Sequence, residues 1–287
     1  MIGGAGRAEV AYDEGFFPSV DGTELFRRSW RSQDPTAALV NVHGLGDHSG
    51  LYAPLTEVLA AEGIAVHGLD LPGHGRSPGQ RAYVERWDDY LDGLDAFTTW
   101  VTAREPGLPV FLMGHSLGGL IALDHVIRRG ARLRGVIAVA PPLGEVGVPP
   151  LLMGLGRLMA RVWPRFSLNV GMDLSGLSRN PAVVQTITTD PLFHRRGTAR
   201  MAVEVPRAIA RVHEHARDID IPLLLLHGTA DRMVPPEGTR AFYAQLGSSA
   251  PDAELRLYEG AYHALFFDDG GDIVTADVIR WIREHSG

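Results

Sequence analysis

The chain of 287 residues contains no cysteine. That absence excludes a disulfide framework, a thiol nucleophile and a thiolate metal site. Cationic charge is also scarce: 27 Lys and Arg stand against 34 Asp and Glu, for a formal net charge of -7 and a pI near 5.9. A nucleic-acid binder needs a basic face to meet phosphates, so none is expected here. No apolar run is long enough to span a bilayer, and the opening "MIGGAGRAEVAYDEG" lacks the apolar core of a signal peptide. These absences point to a cytoplasmic protein whose partners are small molecules or lipid.

Short apolar runs are plentiful. "AALVNV", "GIAVHGLD", "PVFLMG", "GVIAVA" and "PLLLLHG" are each too brief for a helix and lack the alternation of a half-exposed strand. They read as parallel strands buried on both faces. Helical patterns lie between them: "YAPLTEVLAAEG" ends at a capping glycine, and "VERWDDYLDGLDAFTTWV" sets Trp87, Leu91, Leu94 and Val101 near one face. Ahead of them, "GFFPSVDGTELFRRSW" has two extended halves around Asp21-Gly22, a dipeptide suited to a tight hairpin turn. Alternating strands and helices imply an α/β fold with a mostly parallel central sheet covered on both sides.

That rhythm breaks from Gly144 to Asp220, where no buried-strand run occurs and helix-like segments such as "PPLLMGLGRLMARVW" and "RMAVEVPRAIARVHEH" take over. The expected organisation is a loose lead-in over 1–12, a first core segment over 13–143, a helical cap insertion over 144–220 and a second core segment over 221–287. "GTRAFYAQLG" then reads as a helix, "AELRLYEG" as an edge strand and "IVTADVIRWIREH" as a closing helix.

The chemistry is carried by "GHSLG", residues 114–118. It fits the Gly-x-Ser-x-Gly nucleophile elbow, in which a strand turns so sharply into a helix that bulky residues two places either side of the serine would clash. A serine hydroxyl needs a base, and the base needs an acid to hold its tautomer. In an elbow fold the order is serine, acid after a later strand, then histidine near the end. Asp231 in "GTADRMVPP" and His263 in "YEGAYHALF" satisfy it, giving the candidate triad Ser116, Asp231, His263. Asp70 precedes the serine and Asp268 follows the base, so neither fits. Of the 12 histidines, His213, His215 and His285 sit on polar helical stretches and read as solvated, while His67 and His227 flank strands and read as satisfying backbone groups. The oxyanion amides are expected from Leu117, at the start of the helix after the serine, and Leu45, within "HGLG" after an earlier strand. No histidine spacing suits a zinc protease and no dinucleotide glycine motif opens a helix after the first parallel strand, so neither metal nor cofactor is expected. "LDLPGHGRSPG" reads as a structural loop built on Pro72, Gly73 and Gly75.

With those residues in place, "VHGLGDHSGLYAPL", "DLPGHGRS", "GHSLGG", "LSRNPAVV", "DPLFHR", "GTADRMVPPEG" and "YEGAYHALFFD" together resemble the monoacylglycerol lipase and lysophospholipase-like branch of the serine α/β-hydrolases, from about residue 14 to the end. The resemblance implies the same triad and oxyanion pair, no cofactor, and a single-chain lipid ester as substrate. Asp47 stands where that pattern has glutamate and Leu51 where it has arginine, both near the region assigned to the alcohol head group. The apolar residues Leu151, Leu152, Met153, Leu155, Leu158, Met159, Val162 and Trp163, with Arg157 and Arg161 one turn apart, suit a helix that closes over an acyl chain or lies on a membrane surface. Leu151, Leu155, Leu158 and Met159 are the candidate acyl contacts. Other readings of the same residues are a lysophospholipase, a broad carboxylesterase, a cofactor-free haloperoxidase, and a binding protein that has lost catalysis.

Overall fold

The computed structural model describes residues 9–287 apart from 131, 145–149, 170, 172, 248–249 and 251. An eight-stranded sheet runs through the molecule in the order β1-β2-β4-β3-β5-β6-β9-β10. Its strands are β1 (Ala11–Pro18), β2 (Glu24–Arg31), β3 (Ala37–Val42), β4 (Ile64–Leu69), β5 (Val110–His115), β6 (Gly135–Val139), β9 (Leu223–Gly228) and β10 (Ala253–Tyr258). The β1/β2 and β2/β4 pairs are antiparallel and every other pair is parallel. This is the α/β-hydrolase arrangement. Every residue of β3, β4, β5, β6 and β9 is buried, whereas β10 at the edge is only half-buried. The unbroken apolar runs and the one that closes the sheet thus differ as their composition predicts.

Because successive side chains point to opposite faces, each strand feeds two cores. On one face Val40, Leu112, Val136 and Leu225 meet Leu91, Leu94 and Phe97 of α2 (Asp88–Arg104) and Leu120 and Leu123 of α3 (Leu117–Arg129). On the other, Leu39, Phe111, Ile137 and Leu224 meet Leu55 and Leu59 of α1 (Ala53–Ala61) and Val278 and Trp281 of α8 (Gly271–Glu284). Trp87, Leu91, Leu94 and Val101 are all buried, in line with the helical stripe read from the sequence. Gly63, at φ +85°, ends the α1 turn in a conformation open to glycine.

Between β6 and β9 the chain makes α4 (Pro150–Val162), β7 (Ser167–Asn169), α5 (Pro181–Thr189), β8 (Arg196–Thr198) and α6 (Met201–Glu214), and α7 (Glu237–Leu246) follows β9. The segment was expected to be helical throughout. Instead β7 and β8 pair antiparallel into a small second sheet, three residues per strand and too short to register as an apolar run. Two further expectations are corrected. Strand β1 begins at Ala11, inside the presumed lead-in, because Ala11 and Tyr12 already pair with Arg31 and Trp30. The turn around Asp21-Gly22 is wider than a two-residue hairpin: Ser19 N–H donates to Thr23 O at 2.8 Å, and Gly22 alone of the dipeptide takes a positive φ.

Helix α6 is fastened to the core by charge. Asp124 of α3, whose side chain is fully buried, accepts from Trp87 Nε1 at 2.6 Å and from Arg211 Nε and Nη2 at 2.8 and 2.6 Å. Removing one partner of such a pair leaves an uncompensated buried charge. Arg211→Ala is therefore expected to lower stability by about 2–4 kcal/mol in urea unfolding, discounted for the part of Arg211 that faces solvent. A loss below about 0.5 kcal/mol, the scale of an ordinary surface change, would show that α6 does not depend on this pair.

Candidate active site

Strand β5 ends at His115 and α3 starts at Leu117, so a single residue, Ser116, makes the turn. It does so at φ 53° and ψ -120°, a region that costs a non-glycine residue about 1–3 kcal/mol. The neighbours leave no other path. Ser116 N–H donates to Val139 O of β6 at 2.8 Å, while the Gly119 N–H donates to Ser116 O at 2.9 Å. A Cβ on Gly114 would stand 2.1 Å from Gly118 O, and one on Gly118 would stand 2.3 Å from Val42 O. The glycines two places either side of the serine are what allow the turn.

His263 lies in the loop between β10 and α8, and Asp231 in the loop after β9. Their side chains meet, His263 Nδ1–H donating to Asp231 Oδ2 at 2.7 Å, and both are buried. Asp231 Oδ1 accepts the Met233 and Val234 amides, each at 2.9 Å. His227 Nε2–H donates to Val234 O at 2.8 Å and stands 3.3 Å from Asp231 Oδ2. Burial alone would raise the Asp231 pKa, but the hydrogen bonds from His227 and His263 and from the Val234 amide outweigh it and hold the carboxyl well below the usual range. An ionised Asp231 keeps the His263 proton on Nδ1, which leaves the Nε2 lone pair to act as a base.

The histidine of the elbow itself ties the two ends of the site together. His115 Nε2–H donates to the His263 carbonyl at 3.2 Å, and the two rings lie 4.8 Å apart. Burial, and then repulsion from His263, pushes the His115 pKa down to about 3, so its ring is neutral and its Nδ1 accepts. Tyr52 hydroxyl, 2.8 Å from that nitrogen, also stands 3.1 Å from Asp47 Oδ2. One hydroxyl proton faces two acceptors. Burial pushes the Asp47 pKa up to about 6, so below that pH a proton on Asp47 resolves the conflict, and above it the two acceptors compete for the hydroxyl.

The loop after β3 completes the surroundings. Gly44 packs against the serine: a Cβ on it would lie 3.3 Å from Ser116 Cβ and 3.1 Å from Asp47 Oδ2. Leu45 is half-buried and packs on the first core, and Leu51 packs against the second. Leu117 opens α3, where an amide has no carbonyl one turn earlier to donate to. On α4, Leu158 is 56% exposed and Met159 half-buried, and the side chains of Leu151 and Leu155 lie outside those described. Asp70 is structural, accepting from Ser49 N and Oγ and from Arg76 N.

Some histidines were misread. His213 is half-buried, its Nε2 2.7 Å from Leu143 O and its Nδ1 2.8 Å from Gln245 Oε1, and His285 Nδ1 lies 2.8 Å from Trp281 O. His67 meets side chains, Ser29 Oγ at 2.9 Å and Glu105 Oε1 at 3.3 Å, instead of backbone. Tyr52, His115 and His227 were not singled out as site residues. His115 had a signal in hand, since it occupies the variable position inside the elbow motif.

The model of the serine aminopeptidase, S33 family matches residues 33–270. The human monoglyceride lipase is 33% identical over 274 residues, covering 93% of this chain and 89% of its own, and the monoacylglycerol lipase of Mycolicibacterium smegmatis is 28% identical with coverages of 94% and 96%. Among solved structures, the monoacylglycerol lipase of Paleococcus ferrophilus superposes with a TM-score of 0.83 at 36% identity, covering 92% of this chain and all of its own. The chain belongs to the serine aminopeptidase S33 family, in its monoacylglycerol lipase-like branch of the α/β-hydrolases, as a serine ester hydrolase. Among the described residues no helix is long and apolar enough to cross a membrane.

The Asp47 environment sets a sign that an unfolding experiment reads. A carboxyl whose pKa is raised on folding stabilises the fold below its ordinary value, 3.8, and loses that contribution as pH rises through about 6. Asp47→Asn, which cannot ionise, is expected to gain stability relative to the parent across that window, by up to about 3 kcal/mol. Urea unfolding at pH 4 and pH 7 measures it. A difference between variant and parent that stays flat with pH would mean that folding does not raise the Asp47 pKa.

Proposed function

We propose that the protein hydrolyses monoacylglycerols, or closely similar single-chain lipid esters, to fatty acid and alcohol through an acyl-enzyme on Ser116. The observation that carries the reading is the buried 2.7 Å contact of His263 with Asp231, on a loop that His115 ties to the serine turn. His263 Nε2 takes the Ser116 proton as Oγ attacks the ester carbonyl. The Leu45 and Leu117 amides hold the oxyanion, and His263 returns the proton to the leaving alcohol. Water, deprotonated by the same nitrogen, then releases the acid.

Triad chemistry of this kind serves esters and amides alike, so the family's aminopeptidase description does not choose the substrate. The lipid ester is favoured by the names of the relatives and by the apolar surface of the insertion. We assign 144–220 as a cap, with α4 over the acyl chain through Leu151, Leu155, Leu158 and Met159, and Asp47 and Leu51 near the alcohol side. Val162, Trp163 and Leu168 are exposed, with Val162 at 74%, and Arg161 and Arg165 lie beside them. Such a mixture suits insertion of the apolar side chains into a lipid surface.

Ser116→Ala or His263→Ala is expected to lower kcat by about 10³-fold or more with folding retained. Near-normal ester turnover by folded Ser116→Ala would sink the mechanism. Each methylene buried under the cap contributes at most about 0.8 kcal/mol, so kcat/KM should climb from acetate to decanoate esters. Leu158→Ser with Met159→Ser should flatten that climb while sparing acetate. On phosphatidylcholine vesicles, Val162→Ser with Trp163→Ser should reduce sedimentation with lipid. Equal turnover of acetate and decanoate would instead favour a general esterase under a structural cap.

A further inference from the structure

The loop that carries His263 spans the gap from Tyr258 to Gly271 and borrows much of its hydrogen bonding from the insertion. His263 N–H donates to Gly176 O at 3.3 Å and Ala264 N–H to Leu177 O at 2.8 Å. Five residues after the histidine, Asp268 turns its carboxylate back into the loop, with no exposed side-chain surface. Its Oδ2 accepts the amide of Tyr262, next to the histidine, at 2.8 Å, and Arg179 Nε at 2.9 Å. Its Oδ1 accepts the Arg179 amide at 2.7 Å, while the Ser178 hydroxyl, 3.2 Å away, divides its one proton between this oxygen and Phe267 O at 3.0 Å. Arg179 Nη2 also reaches Asp269 O at 2.5 Å. A buried carboxylate with three N–H donors from two segments fixes the distance between those segments better than neutral contacts do.

We propose that Asp268, clamped by Arg179 of the insertion, is a positioning residue for His263, so that docking of the 175–180 strap sets the base in register with Asp231 and Ser116. The proposal rests on His263 being the base. Burial would raise the Asp268 pKa, but the Tyr262 and Arg179 amides and the Arg179 side chain hold it below the ordinary carboxylate value, so the clamp persists through the neutral range. Without it, the strap's remaining contacts to 263 and 264 still close the loop, but Tyr262 loses its acceptor and the imidazole its fixed height. A misplacement of about 1 Å in a reacting group costs on the order of 100-fold in rate.

The test compares Asp268→Asn, Asp268→Glu, Arg179→Ala and His263→Ala with the parent, using a short soluble acetate ester that does not reach α4. Asp268→Asn is expected to lower kcat about 10- to 100-fold with KM within about threefold, to displace the acid limb of the kcat/KM–pH profile, and to broaden the downfield proton resonance of the His263–Asp231 hydrogen bond. Asp268→Glu should recover part of kcat. Arg179→Ala, which leaves the backbone donors in place, should lose less. A folded Asp268→Asn with parental kcat and an unshifted pH profile, whatever its Tm, overturns the proposal. If that variant fails to fold, parental kcat in Arg179→Ala overturns it. Activity surviving His263→Ala would remove the base assignment and this inference together, whereas loss there beside full activity in Asp268→Asn removes this inference alone.

Discussion

The site depends on one steric constraint, the contact between the turn at Gly114–Gly118 and the end of β3. Ser116 holds an unfavourable backbone conformation because Gly118 lies so close to Val42 O that any side chain there would collide, and because Gly114 lies equally close to Gly118. The sheet keeps that geometry: β5 is held by β3 and β6, and Ser116 N–H is spent on Val139. Strain at one residue is affordable when a buried five-strand core over-determines its surroundings. The serine is thereby presented at the C-terminal edge of the sheet, where the loops after β3, β9 and β10 also end.

Those loops are not self-supporting. The insertion between β6 and β9 reaches all three, meeting the loop after β9 where Arg232 Nη2 donates to Ser175 O at 3.2 Å. Its 175–180 strap bonds the loop carrying His263, and His194 N–H donates to Gly46 O at 3.0 Å beside the candidate oxyanion loop. Gly46 takes φ +82°, and a Cβ there would lie 2.0 Å from His194 O, so glycine is required for this approach. His48 adds a side-chain contact to Asp190 at 3.2 Å. The segment therefore carries apolar surface on α4 and backbone anchors on either side of the serine. Exposed apolar surface and loop support are built from the same stretch of chain.

The sheet was legible because its signal is local. Runs such as "LLLLHG" and "VFLMGH" announce strands buried on both faces whatever their partners. The positions of Ser116, Asp231 and His263 after strand ends were legible for a related reason, since strand ends and chain order constrain them. What sequence could not supply is pairing across long separations. Asp268 was set aside because it follows the base, and only the fold reveals that its carboxylate returns to Tyr262 and crosses to Arg179, 89 residues away. Likewise Tyr52 reads as an ordinary helix-start aromatic until His115 is found 2.8 Å from its hydroxyl. The β7–β8 pair escaped because strands of three residues leave no pattern.

The anchors of the insertion bear on how this scaffold can be rebuilt. An insertion grafted whole from another enzyme would exchange α4, but it would also remove the carbonyls of Gly176 and Leu177 and the backbone of His194. The modular boundary thus falls inside the insertion, not at its ends: α4 can be swapped as a cassette, whereas the strands of chain around 175–180 and 190–194 belong with the hydrolase core and must travel with it.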